Sequence, residues 1–302
     1  MSLPPVLVLE PTNRCNMVCD MCPQGLQDIF GDMDLALATR IIAEAGPSSK
    51  YVQCYLLGEP TVRKDICDFL NIVRQHTKAV IEVSTNLVRC KDRAFADALL
   101  CSGVDVLLCC VEGMTAASHG HLRRTGEFDS IVQTVRYLGA KSISLGRGVN
   151  VVAKCILNRK NRHEADRFMD FWSSQPGITP AITWLNTWAG TMPHVLEYAV
   201  DVSPNAYHER RPCAELWNKL VVRWNGKVVA CCHDWRNRVE LGDVLDSSLA
   251  EIWTGSAMDA LRKEHIAGTF AGICSPCIEW STPEEFEGDF GLAKDAIVIP
   301  KA

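Results

Sequence analysis

Cys15, Cys19 and Cys22 lie within eight residues, spaced C-x3-C-x2-C. Spacing this tight puts three thiolates on one short loop. Iron–sulfur clusters are held by Cys thiolates and normally take four. Three local ligands leave one iron of a 4Fe–4S cluster open, and an open iron coordinates a substrate or a cofactor. Zinc sites show paired C-x2-C or Cys/His sets, and this triple is not one of them.

A second cysteine set comes late in the chain. Cys213 precedes the hairpin signal Asn225-Gly226, Cys231 and Cys232 follow it, and Cys274-Ser275-Pro276-Cys277 comes last. A C-x17-C pair on a hairpin is thus joined by a distant C-x2-C. Four thiolates close a site, which by ligand type alone suits zinc or iron–sulfur. The return strand is predicted over 227–232, so Cys231 and Cys232 point to opposite faces and only one serves the site. His233 and Asp234 follow at the strand end, as bases near a substrate or as solvated turn residues. Cys54, Cys67, Cys90, Cys101, Cys109, Cys110 and Cys155 lie in apolar or helical surroundings and read as small hydrophobes.

The elements between the two sets alternate. Residues 6–9 read as a buried strand that ends at Glu10-Pro11-Thr12 and feeds the first cysteine loop. A helical stripe over 35–45 closes at Gly46-Pro47. Strands over 51–57, 79–83, 104–111, 149–156 and 181–185 alternate with helices near 66–73, 92–101, 128–138 and 163–173. Such alternation predicts an α/β fold with a parallel sheet and helices outside. In barrels of this kind, active groups collect at the C-terminal strand ends. The cysteine loop, Gly58-Glu59-Pro60, Ser84-Thr85-Asn86, Glu112-Gly113, Asn158 and Asn186 all fall there, which predicts one site at one rim. After about residue 205 the alternation stops, so residues 1–204 and 205–302 are expected to be two domains.

The 302 residues are 47% hydrophobic and 22% charged, an ordinary globular balance. A net charge of −5 gives no electrostatic case for nucleic acid. The apolar runs are too short for a transmembrane helix, and Met-Ser-Leu-Pro-Pro is not a secretory signal. A cytoplasmic protein is expected, where fifteen cysteines point to metal and free thiols rather than disulfides.

The triple Cys15, Cys19, Cys22 resembles the signature of the radical S-adenosylmethionine (radical SAM) superfamily. The resemblance implies a partial (β/α)6 barrel and SAM chelated on the open iron. Reductive cleavage of SAM then gives a 5′-deoxyadenosyl radical that takes hydrogen from the substrate. Met21 stands where many members carry an aromatic residue against the adenine. Gly58-Glu59-Pro60 is similar to the motif that meets the SAM amino group, and Ser84-Thr85-Asn86 to the strand end that faces the ribose. Cys110 and Glu112 occupy positions usually held by Ser and Asp, and Asn158 is a candidate SAM contact or a helix cap. Cys213, Gly226 and Cys231 resemble the C-x9–15-G-x4-C hairpin of SPASM and twitch modules, followed by Leu241-Gly242-Asp243-Val244 and Ser248-Leu249-Ala250-Glu251-Ile252-Trp253. That match selects Cys231 as the ligand and implies one auxiliary 4Fe–4S cluster in a small C-terminal β-hairpin-plus-helix module. Cys232 is left as a packed thiol or a hydrogen-atom donor.

The resemblance further implies a flavodoxin- or ferredoxin-type electron donor. Within the family the chain looks most like the deoxy-scyllo-inosamine dehydrogenases of aminoglycoside pathways. Those oxidise a carbinol carbon of a small polyol amine, with the auxiliary cluster as electron acceptor. Aminoglycoside epimerases, which quench the substrate radical with a thiol, are an alternative with Cys232 as donor. Peptide maturases are another. With the first cluster cysteine at residue 15, no leader-binding domain is expected ahead of it, which favours a small-molecule substrate. A non-enzymatic iron–sulfur or zinc scaffold needs no vacant iron. Lys154, Trp184, Asn186 and Trp188, on late strands or their ends, are expected to line the pocket.

Overall fold

The computed structural model describes residues 2–124, 127–199, 209–284 and 286. Six strands run parallel: β1 (Val6–Leu9), β2 (Tyr51–Gln53), β3 (Val80–Thr85), β4 (Val106–Cys110), β5 (Asn150–Leu157) and β6 (Ile178–Trp184). Their connections carry helices α1 (Leu35–Ala45), α2 (Ile66–His76), α3 (Arg93–Leu100), α4 (Ala116–Arg123), α5 (Phe128–Leu145) and α6 (Ala165–Ser173). This is a mixed α/β fold with a partial barrel, as predicted.

The strands read as unbroken apolar runs because both of their faces are covered. All four residues of β1 are buried. Leu7 and Leu9 join the main core with Ile41, Phe69, Val83 and Leu107, while Val6 and Val8 pack in separate interior clusters.

The late segment does not stand apart from this sheet. Helix α7 (Glu215–Asn218) leads into β7 (Lys219–Val222), which pairs parallel with β1, Val6 opposite Lys219 and Leu9 opposite Val222. β8 (Lys227–Val229) and β9 (Glu240–Asp243) continue antiparallel. Among the described residues the sheet has nine strands in the order β6-β5-β4-β3-β2-β1-β7-β8-β9. Helices α8 (Leu249–Thr254) and α9 (Ser256–Ile266) cover the end, α8 opened by a Ser248/Glu251 capping box. The expected break between residues 204 and 205 lies outside the described residues.

Three expectations need correction. The strand predicted over 51–57 stops at Gln53, because the chain must bend to bring Gly58 against the first loop. A Cβ on Gly58 would stand 2.2 Å from the Thr12 carbonyl oxygen. The return strand predicted over 227–232 stops at Val229, so Cys231 and Cys232 lie on a turn and strand alternation does not sort them. Helix α4 had no sequence-based expectation, since Ala116–Arg123 lacks an apolar stripe.

Glu10, directly after β1, is fully buried. Its Oε2 accepts from Arg223 Nε at 2.7 Å and from the Trp224 amide at 3.1 Å, and its Oε1 accepts from the Leu57 amide at 3.3 Å. One carboxylate therefore joins the ends of β1, β2 and β7. Removing one partner of a buried pair strands the other charge. Arg223→Ala is expected to cost about 3–5 kcal/mol in urea unfolding of the metal-free protein. A loss below about 1 kcal/mol, the range of exposed pairs, would contradict this role.

Candidate active site

The first cysteine loop is closed at its neck. Thr12 bridges Asp32, the Asn13 amide donates to the Gly31 carbonyl at 3.3 Å, and Met33 returns to Pro11 at 2.9 Å. Asn13 fastens it from inside, its Nδ2 donating to Ile29 O and its Oδ1 accepting from the Gly31 amide, both at 2.8 Å. Loop ends held this tightly fix where the thiols point.

Cys15, Cys19 and Cys22 line one cavity of about 160 Å3. The Met17 amide donates to Cys15 Sγ and the Gln24 amide to Cys22 Sγ, each at 3.4 Å. Arg123 Nη1 stands 4.0 Å from Cys19 Sγ. Burial pushes the Cys15 thiol up to about 11 and the Cys22 thiol up to about 12, and it raises Cys19 too. Hydrogen bonds to sulfur and a nearby cation both favour thiolate, the form that binds iron. This donor set fits a cluster held through these three residues. Among the described residues no three His, Cys, Asp or Glu side chains converge enough to share one metal ion. A cubane asks for less, since each thiolate meets its own iron.

The rim residues foreseen from the strand ends divide into two groups. Met21, Gly58, Glu59, Ser84, Thr85, Asn86, Cys110, Trp184, Asn186 and Trp188 line the same cavity. Glu59 Oε1 accepts from the Thr61 amide at 3.1 Å, Thr61 Oγ1 at 2.6 Å and Thr85 Oγ1 at 2.8 Å, and its Oε2 from the Asn86 amide at 2.6 Å. Oε2 keeps a lone pair for a ligand. Ser84 Oγ meets Cys110 Sγ at 3.5 Å.

The other group supports the rim without lining the cavity. Pro60 opens a short 3-10 turn beneath Glu59. Glu112 is fully buried, accepting from Arg123 Nη2 and from the Ile156 amide, both at 2.6 Å. It positions Arg123 and does not line the cavity. Asn158 is spent on its own turn, donating to Ile156 O and accepting from the Lys160 amide at 2.9 Å. Lys154 does not border the cavity. Sequence reading missed Arg123, because α4 carries no periodic signal, and Tyr55, which also lines the cavity.

At the second set, Cys213 Sγ accepts from the Ser281 amide at 3.4 Å, and the Cys277 amide closes a turn on Cys274 O at 3.3 Å. Burial pushes the Cys213 thiol up to about 12, and Cys277 stands close enough to feel the Cys213 charge. His233 hydrogen-bonds toward Cys231. The two oxygens of Asp234 accept from the Arg238 and Val239 amides, each at 2.8 Å. Cys232 Sγ lies 4.0 Å from Glu215 Oε2 and does not line the cavity.

The loop after β6 touches both sets. Trp188 Nε1 donates to Met21 O at 2.9 Å, and its ring meets His233 edge-on at 6.3 Å. Glu279, 3.9 Å from Cys277 Sγ, accepts from Thr187 Oγ1 at 2.6 Å. Trp188 and Ala189 both take left-handed dihedrals, at φ 55° and 56°. Each costs on the order of 1–3 kcal/mol and persists only where surroundings impose it.

A family model described as "Radical SAM superfamily" matches residues 9–170, more than half of the chain. The chain belongs to the radical SAM superfamily. The SPASM model, an iron–sulfur cluster-binding domain, matches residues 213–278. Membership carries a SAM-binding 4Fe–4S cluster, auxiliary cluster binding and SAM. A tungsten-containing aldehyde ferredoxin oxidoreductase cofactor-modifying protein of Pyrococcus furiosus is 28% identical, covering 82% of this chain and 80% of its own. Mycofactocin maturase MftC of Mycobacterium tuberculosis is 29% identical over 60% of this chain and 45% of its own. The structure of BtrN with AdoMet and 2-DOIA shares the fold at a TM-score of 0.62 and 16% identity, covering 92% and 94% of the two chains. SuiB of Streptococcus suis bound to its precursor peptide SuiA gives 0.65 at 14% identity, covering 87% and 67%. No helix among the described residues is long and apolar enough to cross a membrane.

Thiols must lose protons to bind iron. Since Cys15 and Cys22 sit above the ordinary thiol value of 9.0, cluster uptake releases protons and weakens as pH falls. Anaerobic iron binding at matched free iron is expected to decline from pH 8.5 to about 6.5, and Arg123→Ala to weaken binding throughout that range. A flat profile would show that these thiols are not the ligands.

Proposed function

We propose that this radical SAM enzyme oxidises a small hydroxyl-bearing molecule, a polyol or amino sugar, at a carbinol carbon. The first site, when loaded, supplies a SAM-derived radical that removes hydrogen from that carbon. Cys15, Cys19 and Cys22 hold that site. Glu59 and the 84–86 strand end hold the cofactor's polar groups, and Met21 packs against its base. Cys213, Cys231, Cys274 and Cys277 would hold a second cluster, which would supply an electron sink.

One observation carries this reading. The loop after β6 borders the cavity and reaches both cysteine sets, through Trp188 to Met21 and through Trp188 and Thr187 to His233 and Glu279. A substrate held there lies between a radical source and an electron sink. The cofactor-modifying name of the Pyrococcus furiosus relative supports a non-peptide substrate. Peptide modification is the second reading, supported by the likeness to MftC.

The test uses anaerobically reconstituted protein, a chemical reductant or flavodoxin, SAM, and deoxy-scyllo-inosamine deuterated at its carbinol carbons. Wild type is expected to hold about eight irons, deuterate 5′-deoxyadenosine and form ketone. Cys277→Ala is expected to fall to about four irons, keep SAM cleavage and lose the ketone. Normal ketone formation by Cys277→Ala would overturn the electron-sink role, and modification of a peptide instead of the polyol would favour the second reading.

A further inference from the structure

Below the cavity the barrel interior is polar. Tyr51 and Gln53 of β2 and Glu82 of β3 point away from the helix-facing core, and Tyr55 follows on the bend after β2. Glu82 is buried. Its Oε1 accepts from Tyr55 Oη at 2.6 Å and from Gln53 Nε2 at 2.9 Å, and its Oε2 accepts from Tyr51 Oη at 2.7 Å. Gln53 Nε2 also donates to Tyr55 Oη at 2.8 Å. A phenol oxygen has one proton and two lone pairs. Tyr55 gives its proton to Glu82, takes one bond from Gln53, and keeps one lone pair. Of these four residues only Tyr55 lines the cavity.

Oxidising a carbinol requires a destination for the hydroxyl proton. The cavity's other charged groups do not offer one. Arg123 is a cation paired with Glu112, and Glu59 is tied by four donors at the cofactor end. Asp234 does not line the cavity, and its oxygens accept from two backbone amides.

We propose that Tyr55 and Glu82 form the proton-accepting relay of the oxidation, an inference that rests on the function proposed above. As the carbinol C–H hydrogen atom leaves, the hydroxyl O–H bond breaks and its proton passes to Tyr55 Oη. The Tyr55 proton passes to Glu82 Oε1. The second site, when loaded, would take the remaining electron, and the C–O single bond becomes a carbonyl. The substrate thus loses one hydrogen atom, one proton and one electron, each to a named acceptor. Burial and the Glu82 carboxylate hold the Tyr55 phenol well above its usual value. It therefore passes a proton on rather than keeping a charge of its own.

Tyr51 gives a stringent control. It donates to the same carboxylate but does not line the cavity, so it lies outside the relay. Tyr55→Phe and Tyr51→Phe each remove one phenol donor from Glu82 and are expected to lower the melting temperature of the metal-free protein to a similar extent. With deuterated deoxy-scyllo-inosamine, Tyr55→Phe is expected to lower ketone formation about a hundredfold, the reach of general base catalysis. Deuterium transfer to 5′-deoxyadenosine should change far less, and a substrate radical should build up in the electron paramagnetic resonance (EPR) spectrum. Tyr51→Phe is expected to keep coupled turnover. Equal losses in the two variants, or parallel loss of deuterium transfer and ketone in Tyr55→Phe, would reduce Tyr55 to a packing role and overturn the relay. Ketone formation by Tyr55→Phe at the wild-type rate would overturn it too, leaving the proposed function standing. Failure of wild type to oxidise the polyol overturns the proposed function and the relay together.

Discussion

The buried Glu10 carboxylate is the constraint on which the two halves of this molecule depend. It sits where β1 gives way to the first cysteine loop, and it is met by Arg223 and Trp224 from the hairpin that precedes Cys231. It also holds Leu57, one residue before the glycine that closes on Thr12. Burying a charge is costly unless it is paired and hydrogen-bonded, and here three donors satisfy it. The parallel pairing of β7 with β1 repeats the same link through the backbone. Together they join the hairpin that precedes Cys231 to the barrel's own sheet.

That frame explains the chemistry of the rim. Short N–H···S contacts and one guanidinium face thiols that burial alone would keep neutral. Arg123 owes its place to Glu112, which owes its own to the Ile156 amide at the end of β5. The residues that line the cavity are thus oriented by residues that do not, as metal sites require. The strained turn at Trp188 and Ala189 meets Met21 on one side and the His233 ring on the other. Thr187 and Glu279 hold it there, which ties the backbone of that turn to the cysteine that needs it.

Much of this was legible in the sequence. The C-x3-C-x2-C triple, the alternation of strands and helices and the turn residues at the strand ends placed the barrel and most of the cavity wall. What escaped did so for physical reasons. Helix α4 carries His119, Gly120 and His121 where an apolar stripe would announce it, so Arg123 had no element to sit on. Asn158 and Glu112 fall at strand ends like the residues that line the cavity, but Asn158 bonds within its own turn, and Glu112 bonds the Arg123 guanidinium and the Ile156 amide. Spacing cannot tell a side chain that caps a turn from one that faces a ligand. Tyr55 and Glu82 looked like parts of apolar strands, and only the barrel's curvature shows that they share an interior.

The most direct measurement is the low-temperature EPR spectrum of the reduced, reconstituted protein before and after SAM is added. Two cluster signals are expected, one of which changes on SAM binding and disappears in Cys19→Ala while the other persists. Spectra that ignore SAM, or a SAM-responsive signal that survives Cys19→Ala, would contradict an open iron held by the first cysteine loop.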